Sequence, residues 1–286
     1  MDYKHIEQLG QDIILTGVKH FGLANTLDCG QAFRWRSNGD NMYTGIAYGR
    51  RLDLENIECE NTLIFKNVTL NEFETLWKNY FDFERSYDNL IKTLCEADST
   101  GTIGEAITRA KGIRVLQQEP WEAMISFILS QNSNIPRIKK MIEALCESFG
   151  EQLPCGGYTF PNAKTLATLT IEKLEPIKSG YRAKYILDAA RCVSDGIIDF
   201  SVLAKISSEE AQKKLLEIHG IGPKVAECIL LYGMNRIERY PIDVWMKRVM
   251  AKYYPSGFPE EFSKYAGIAQ QFLFHYERIV VSIKND

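Results

Sequence analysis

Two side chains sit where packing alone does not require them. Lys224 lies in the run Leu215-Leu-Glu-Ile-His-Gly-Ile-Gly-Pro-Lys-Val-Ala-Glu-Cys-Ile-Leu-Leu231, at the start of an apolar helical stripe. The positive end of a helix dipole disfavours the ammonium form of a lysine in the first turn. A neutral amine is a nucleophile suited to Schiff-base chemistry. Asp243 lies nineteen residues further on, in Tyr240-Pro-Ile-Asp-Val-Trp-Met-Lys-Arg248, inside an otherwise apolar stretch. A carboxylate there could take up a proton or stabilise positive charge developing on a sugar. Its plainer role is to cap the helix that follows.

The elements that must position this pair can be read around it. An apolar helical stripe ends at Gly220, Ile221 is a lone apolar plug, and Gly222 supplies a second tight backbone angle. Pro223 suits a first helical position, where its missing N–H is not needed. The apolar pattern resumes at Val225, Ala226, Ile229 and Leu230. The result is a helix, a glycine hairpin and a helix whose free N–H groups point at an approaching phosphate. Such a grip on a nucleic-acid backbone is independent of base sequence. A plain helix–helix turn has the same Gly-x-Gly spacing, so the hairpin alone does not decide the matter.

The rest of the chain predicts an α+β protein. Residues 1–98 read as an N-terminal antiparallel sheet domain, with strands at 12–16, 33–36, 42–48, 51–55 and 62–66 and a turn at Ser37-Asn-Gly-Asp40. Helical spacing begins near Leu70. Residues 99–286 read as an all-helical domain, with stripes near 102–117, 119–131, 135–149, 163–169, 171–177, 181–195, 208–218, 223–233, 242–254 and 259–275. The 286 residues carry a net charge of −3, but residues 1–98 hold −6 and residues 99–286 hold +3. An anionic partner therefore belongs with the helical part. A 45% hydrophobic, 25% charged composition excludes collagen-like and disordered classes.

No stretch approaches the ~18 consecutive apolar residues of a membrane span. The polar start, Met1 to Gln11, does not read as a secretory signal. Seven dispersed cysteines form no C-x-x-C pair, and four histidines are scattered, so neither a disulfide framework nor a metal cluster is expected. An intracellular setting is expected, cytoplasmic or at the nucleoid if the source is bacterial.

Gly-Ile-Gly-x-Lys-Val-Ala followed by Pro-Ile-Asp-Val resembles the helix-hairpin-helix glycosylase superfamily of base-excision DNA repair. Four further blocks resemble its 8-oxoguanine DNA glycosylase branch: Cys29-Gly-Gln-Ala-Phe-Arg-Trp35, Ser126-Phe-Ile-Leu-Ser-Gln-Asn-Ser-Asn-Ile-Pro-Arg137, Gly180-Tyr-Arg-Ala-Lys184 and Tyr265-Ala-Gly-Ile-Ala-Gln-Gln-Phe-Leu-Phe274. The likeness runs in order from about residue 23 to residue 275.

The resemblance implies an enzyme that is both glycosylase and lyase. Lys224 would attack the sugar C1′ and form an imine, and Asp243 would stabilise the oxocarbenium-like charge. The Gly30 carbonyl would accept from the N7–H that only the oxidised purine carries, where undamaged guanine sets acceptor against acceptor. Cys228 and Phe274 would sandwich the flipped base and Gln270 would read its Watson–Crick edge. Asn132 would fill the vacated space, Tyr181 would wedge beside the orphaned cytosine, and Arg137 and Arg182 would donate to it. Gly220, Gly222, Trp245 and Lys247 would contact the DNA backbone, with Lys139, Lys140 and Arg248 as further candidates. The partner implied is double-stranded DNA containing oxidised guanine, with no membrane and the protein acting as a monomer. No cofactor is implied, and only Cys228 lies beyond Cys192, so no iron–sulfur cluster of a related branch is expected.

Two departures stand out. Trp245 occupies a position where better-known members carry a His, and an indole cannot become cationic. Pro136 precedes Arg137 and would stiffen that loop. Two other functions fit the pattern: a different base specificity on the same scaffold, or a silent DNA-binding module. The Lys224/Asp243 pair speaks against the silent module, since phosphate binding needs neither.

Overall fold

The computed structural model describes residues 1–39 and 41–284, with side chains through Ile279. The expected α+β order holds. Six antiparallel strands, β1 (His5–Leu9), β2 (Asp12–Thr16), β3 (Trp35–Ser37), β4 (Met42–Ala47), β5 (Arg50–Ile57) and β6 (Thr62–Lys66), form one sheet in the order β1-β2-β6-β5-β4-β3. Ile13 faces Phe65 and Leu15 faces Leu63 across the β2–β6 pair, and all four are buried. One face of the sheet closes over Trp77, Tyr80, Phe81 and Phe83 in an aromatic core.

The sequence reading has no strand at β1. Its five residues are exposed or half-buried, so no apolar alternation marks them. Pairing with β2 across the Gly10-Gln11 turn makes it an edge strand. The strand expected at 33–36 begins only at Trp35, because Phe33 turns away and packs edge-on against Phe127 in the helical core. In the expected turn at 37–40, Asp40 lies outside the described residues.

A short helix, α1 (Leu23–Leu27), precedes the loop that carries Gly30. The helical core gathers α2 (Tyr87–Ala97), α3 (Thr102–Arg109), α4 (Pro120–Leu129), α5 (Ile135–Phe149), α6 (Arg182–Ser194), α7 (Ser208–Leu216), α8 (Pro223–Cys228), α9 (Val244–Tyr253) and α10 (Ala266–Lys284). α2 buries Tyr87, Leu90 and Leu94 in this core. The helix expected over 102–117 stops at Arg109. Beyond it the chain crosses between the two cores: Gln117 N–H reaches the Tyr80 carbonyl and Gln118 N–H that of Tyr232. Arg114, fully buried, fixes the crossing. Its guanidinium pairs with Asp2 at 2.8 Å, donates to the carbonyls of Phe81 and Arg85, and lies against the rings of Tyr87 and Phe83. Tertiary hydrogen bonds thus take the backbone groups that a longer helix would have used.

Candidate active site

The glycine hairpin joins α7 to α8 as expected, and Ile218 and Ile221 plug into the core on either side of it. Gly220 adopts φ +90°, and a Cβ there would lie 2.2 Å from the Tyr185 ring. Both the backbone angle and the close ring demand glycine. Its carbonyl accepts from the Gln131 side chain at 2.9 Å, tying the hairpin to the loop after α4. Gly222 differs from expectation. Its φ of −93° is open to any residue, and a Cβ would meet nothing within 4 Å. What glycine provides at 222 is clearance in front of the α8 N-terminus. Pro223 opens α8 as anticipated.

Lys224 is half-buried in the first turn of α8. Its Nζ donates to the Ser130 hydroxyl at 3.3 Å and stands 5.3 Å from the centre of the Phe127 ring. Ser130 in turn donates to the Phe127 carbonyl. The lysine is therefore held by a neutral oxygen and an aromatic face. One turn further along α8, Cys228 is buried, and burial pushes its thiol up to about 11, against the lowering effect of Lys224. Asp243 adds to that rise, which places the carboxylate within electrostatic range of the same wall. Asp243 is also the N-cap of α9, accepting from Met246 N–H at 2.9 Å. The capping reading of this residue holds: the cap bond fixes one carboxylate oxygen, and the other accepts no hydrogen bond among the described residues.

The opposite wall comes from the 28–34 loop and α10. Gly30 has φ +89°, and its Cα faces Ile135, Arg278 and the Phe274 ring. The flanking carbonyls are taken: Cys29 accepts from Gln271 and Arg278, and Gln31 from Gln118. The Gly30 carbonyl has no partner among the described residues. Buried Gln31 pins the loop by donating to the carbonyls of Thr26 and Arg114 and accepting from Leu116 N–H. Gln270 is 2% exposed, and its Oε1 lies 3.5 Å from the Tyr232 hydroxyl, whose shorter bond goes to Gln271. The Gln270 amide N–H groups have no partner among the described residues. Tyr232 stacks on Phe127 with centroids 5.2 Å apart. Its phenol pKa is pushed far up by burial and then by the nearby Cys228, Cys29 and Asp243. Phe127 and Tyr232 thus link Lys224, Cys228 and Asp243 on one side to Gln270 on the other, and the loop of Cys29 and Gly30 lies against Gln271 and Phe274 of the same helix.

The residues expected to meet the orphaned strand cluster at the α4–α5 loop. Asn132 is exposed with φ +48°, and its amide donates to the Tyr181 hydroxyl at 3.0 Å. Tyr181 is 46% exposed and packs edge-on against Tyr185. Arg137 is exposed, and its guanidinium has no partner among the described residues. Pro136 stands in the first turn of α5, capped by Asn134, so it starts the helix rather than stiffening a loop. Arg182 is neither on a solvated face nor presented as a free donor. It is buried, with its guanidinium committed to the carbonyls of Gln131, Asn132 and Ser179. In this conformation it holds the loop that displays Asn132.

Several residues around Lys224 and Gln270 carry no signal of their own in the sequence. Ser130, Phe127, Tyr232 and Gln271 look like ordinary members of apolar helices, and only spacing from Lys224 through the fold brings them together. Among the described residues, no three His, Cys, Asp or Glu side chains are grouped to hold a metal ion, and no helix is long and apolar enough to cross a membrane.

Comparison with known proteins closes the case. Residues 13–124 match the 8-oxoguanine DNA glycosylase N-terminal domain, and residues 125–264 match the HhH-GPD superfamily of base excision DNA repair proteins. A solved Clostridium acetobutylicum 8-oxoguanine glycosylase/lyase, in complex with double-stranded DNA containing cytosine opposite 8-oxoguanine, superposes with a TM-score of 0.92 at 32% identity. That superposition covers 98% of this chain and 100% of the other. A structure of MBOgg1 with a low-affinity DNA ligand gives 0.91 at 39% identity, over 98% and 100% of the two chains. An N-glycosylase/DNA lyase of Saccharomyces cerevisiae is 32% identical over 81% of this chain and 68% of its own length. The chain belongs to the 8-oxoguanine DNA glycosylase family.

In this 8-oxoguanine DNA glycosylase family member, the candidate backbone contacts divide. Lys247 and Arg248 are exposed on α9, and the Arg248 guanidinium lies 4.8 Å from the Trp245 ring. An aromatic face there holds a permanent cation. Lys140 is also exposed. Lys139 is not available: its ammonium donates to Asp28 at 2.7 Å and to the Trp35 carbonyl at 2.9 Å, bracing the sheet against α5.

Proposed function

We propose that this chain excises 8-oxoguanine lying opposite cytosine in duplex DNA and then cleaves the abasic strand, with Lys224 as the nucleophile. The observation that carries the reading is the setting of Lys224. Its amine rests on a neutral hydroxyl and beside the Cys228 thiol, which also feels the Asp243 carboxylate. Attack of the Nζ lone pair on C1′ forms the C–N bond as the C1′–base bond breaks, and the base departs with that electron pair and gains a proton. Asp243 stabilises the positive charge that develops on the sugar in between. Ring opening leaves an imine on Lys224. Loss of a C2′ proton then expels the 3′ phosphate, and hydrolysis frees the lysine.

Damage recognition in this reading belongs to Gly30 and Gln270. The free Gly30 carbonyl suits the N7–H of the oxidised base, and the unpartnered Gln270 amide suits its Watson–Crick edge. Cys228 and Phe274 would lie on either side of the base, and the buried neutral thiol presents an apolar surface rather than a charge. Asn132, Tyr181 and Arg137 would meet the opposite strand, and Arg182 would join them once the loop carbonyls are released. The Gly220–Gly222 hairpin, Trp245 and Lys247 would hold the backbone. We take the protein to act as an intracellular monomer.

An excision panel tests this: several damaged bases, each opposite all four normal bases. The expected result is strand cleavage at 8-oxoguanine opposite cytosine above all other pairs. Comparable excision of undamaged guanine would refute the role given to Gly30, and binding without excision of any base would refute the enzyme.

A further inference from the structure

α8 carries an acidic residue one turn beyond the lysine. Glu227 lies at i+3 from Lys224, the spacing at which helical side chains of opposite charge pair. Both residues line one cavity of 380 Å³, together with Gln212, Glu238, Arg239 and Tyr240. Yet Lys224 donates to Ser130 instead. Arg239 accounts for this. Its Nε and Nη2 grip the two carboxylate oxygens of Glu227 in a fork, at 3.1 and 2.5 Å. The fork is itself held by α7, through Gln212 at 3.0 Å and Glu209 at 3.0 Å. Gln212 also donates to Glu227. Arg239 stands on the turn that leads to Asp243, with buried Pro241 between them.

We propose that Arg239 is a positioning residue that sequesters Glu227 from Lys224, so that the lysine meets its substrate without an ion-pair partner on its own helix. This rests on the reading of Lys224 as the nucleophile. Without Arg239, the cation nearest along α8 to Glu227 is Lys224. A carboxylate paired with the lysine favours its protonated, non-nucleophilic form. The charged and titratable groups around Lys224 from each packed element are Glu227 and Cys228 on α8, Asp243 at α9, and Glu238, Arg239 and Tyr240 on the intervening turn. Glu238 is engaged by the Ser208 hydroxyl. Ser130 and Phe127, from α4, are neutral. Glu227 is thus the group whose pairing Arg239 decides.

The test is the pH dependence of single-turnover excision by the full-length protein on duplex containing 8-oxoguanine, read with borohydride trapping. Arg239→Gln should move the pH at half-maximal rate upward by on the order of one unit, the shift that a newly available opposite charge produces. Glu227→Gln, which leaves the more exposed Glu209 as the acidic partner of Arg239 and removes the negative charge from α8, should move it downward. The double variant should return it to the wild-type value. A purely structural Arg239 would scale the rate at every pH and leave the midpoint unchanged, and that result overturns the proposal. If Arg239→Gln fails to fold, Glu227→Gln decides alone, and an unshifted or raised midpoint overturns the proposal. The two readings fail separately. Excision by Lys224→Gln at the wild-type rate would overturn the nucleophile and this proposal with it. Wild-type trapping with unmoved midpoints overturns only the role of Arg239.

Discussion

Two glycines two positions apart on one hairpin should answer the same substitution in opposite ways. In Gly220→Ala the new methyl would sit 2.2 Å from Cγ and 2.4 Å from Cδ1 of Tyr185. The ring has little room to retreat, being packed edge-on against His219 at 4.9 Å and Tyr181 at 5.8 Å. Overpacking of this kind costs about 1–3 kcal/mol. The φ of +90° adds about 1 kcal/mol for a residue with a Cβ. The sum is about 2–4 kcal/mol, which lowers Tm by at least about 4 °C in a chain of this size. Gly222→Ala meets no atom within 4 Å at an ordinary φ. It should keep or slightly raise Tm, since alanine restricts the unfolded chain. Its methyl instead projects in front of the α8 N-terminus and should weaken binding to duplex DNA. Thermal unfolding by circular dichroism, with DNA binding measured on the same preparations, separates the two. A Gly220→Ala protein that melts with the wild type, or a Gly222→Ala protein equally destabilised, would refute the account of the hairpin.

Asp243 has two roles that substitution can part. Asn caps a helix as well as Asp, so Asp243→Asn should retain wild-type Tm while losing about 100-fold or more in single-turnover excision; Asp243→Ala should in addition lose about 1 kcal/mol in urea unfolding. His275 is buried against Asn25, and burial lowers its pKa to about 4. The unfolded chain then binds the extra proton between about pH 6.5 and 4, so stability falls as pH drops through that window, by on the order of 3 kcal/mol. Urea titrations from pH 7 to 4 should show this loss in the wild type and its absence in His275→Gln. Cys228, buried and raised to about 11, should resist iodoacetamide at pH 8 while exposed Cys59 and Cys155 react, as peptide mass spectrometry would show.

What the sequence disclosed follows from how each feature is encoded. The hairpin and α8 were legible because Gly220, Pro223 and the apolar stripe obey local rules. The strands with alternating burial, such as Leu52 and Leu54 in β5, were legible for the same reason. β1 was not, since an exposed edge strand carries no alternation. The early end of α3 was hidden because Ile113, Val115 and Leu116 continue an apolar pattern whose backbone bonds go to other segments. The grouping of site residues came from family likeness, and the fold supplied what likeness could not. Lys139 and Arg182 both read as surface cations, yet each is folded inward onto carbonyls that only tertiary structure brings near. Ser130 and Tyr232 had no local signal at all.

The central claim is that the Nζ of Lys224 forms the covalent link to DNA. Borohydride reduction during turnover on duplex containing 8-oxoguanine opposite cytosine, followed by digestion and peptide sequencing by mass spectrometry, tests it most directly. The account predicts the sugar adduct on Lys224, with Lys224→Gln binding the duplex but forming no adduct. An adduct on another residue, or trapping undiminished in Lys224→Gln, would contradict it.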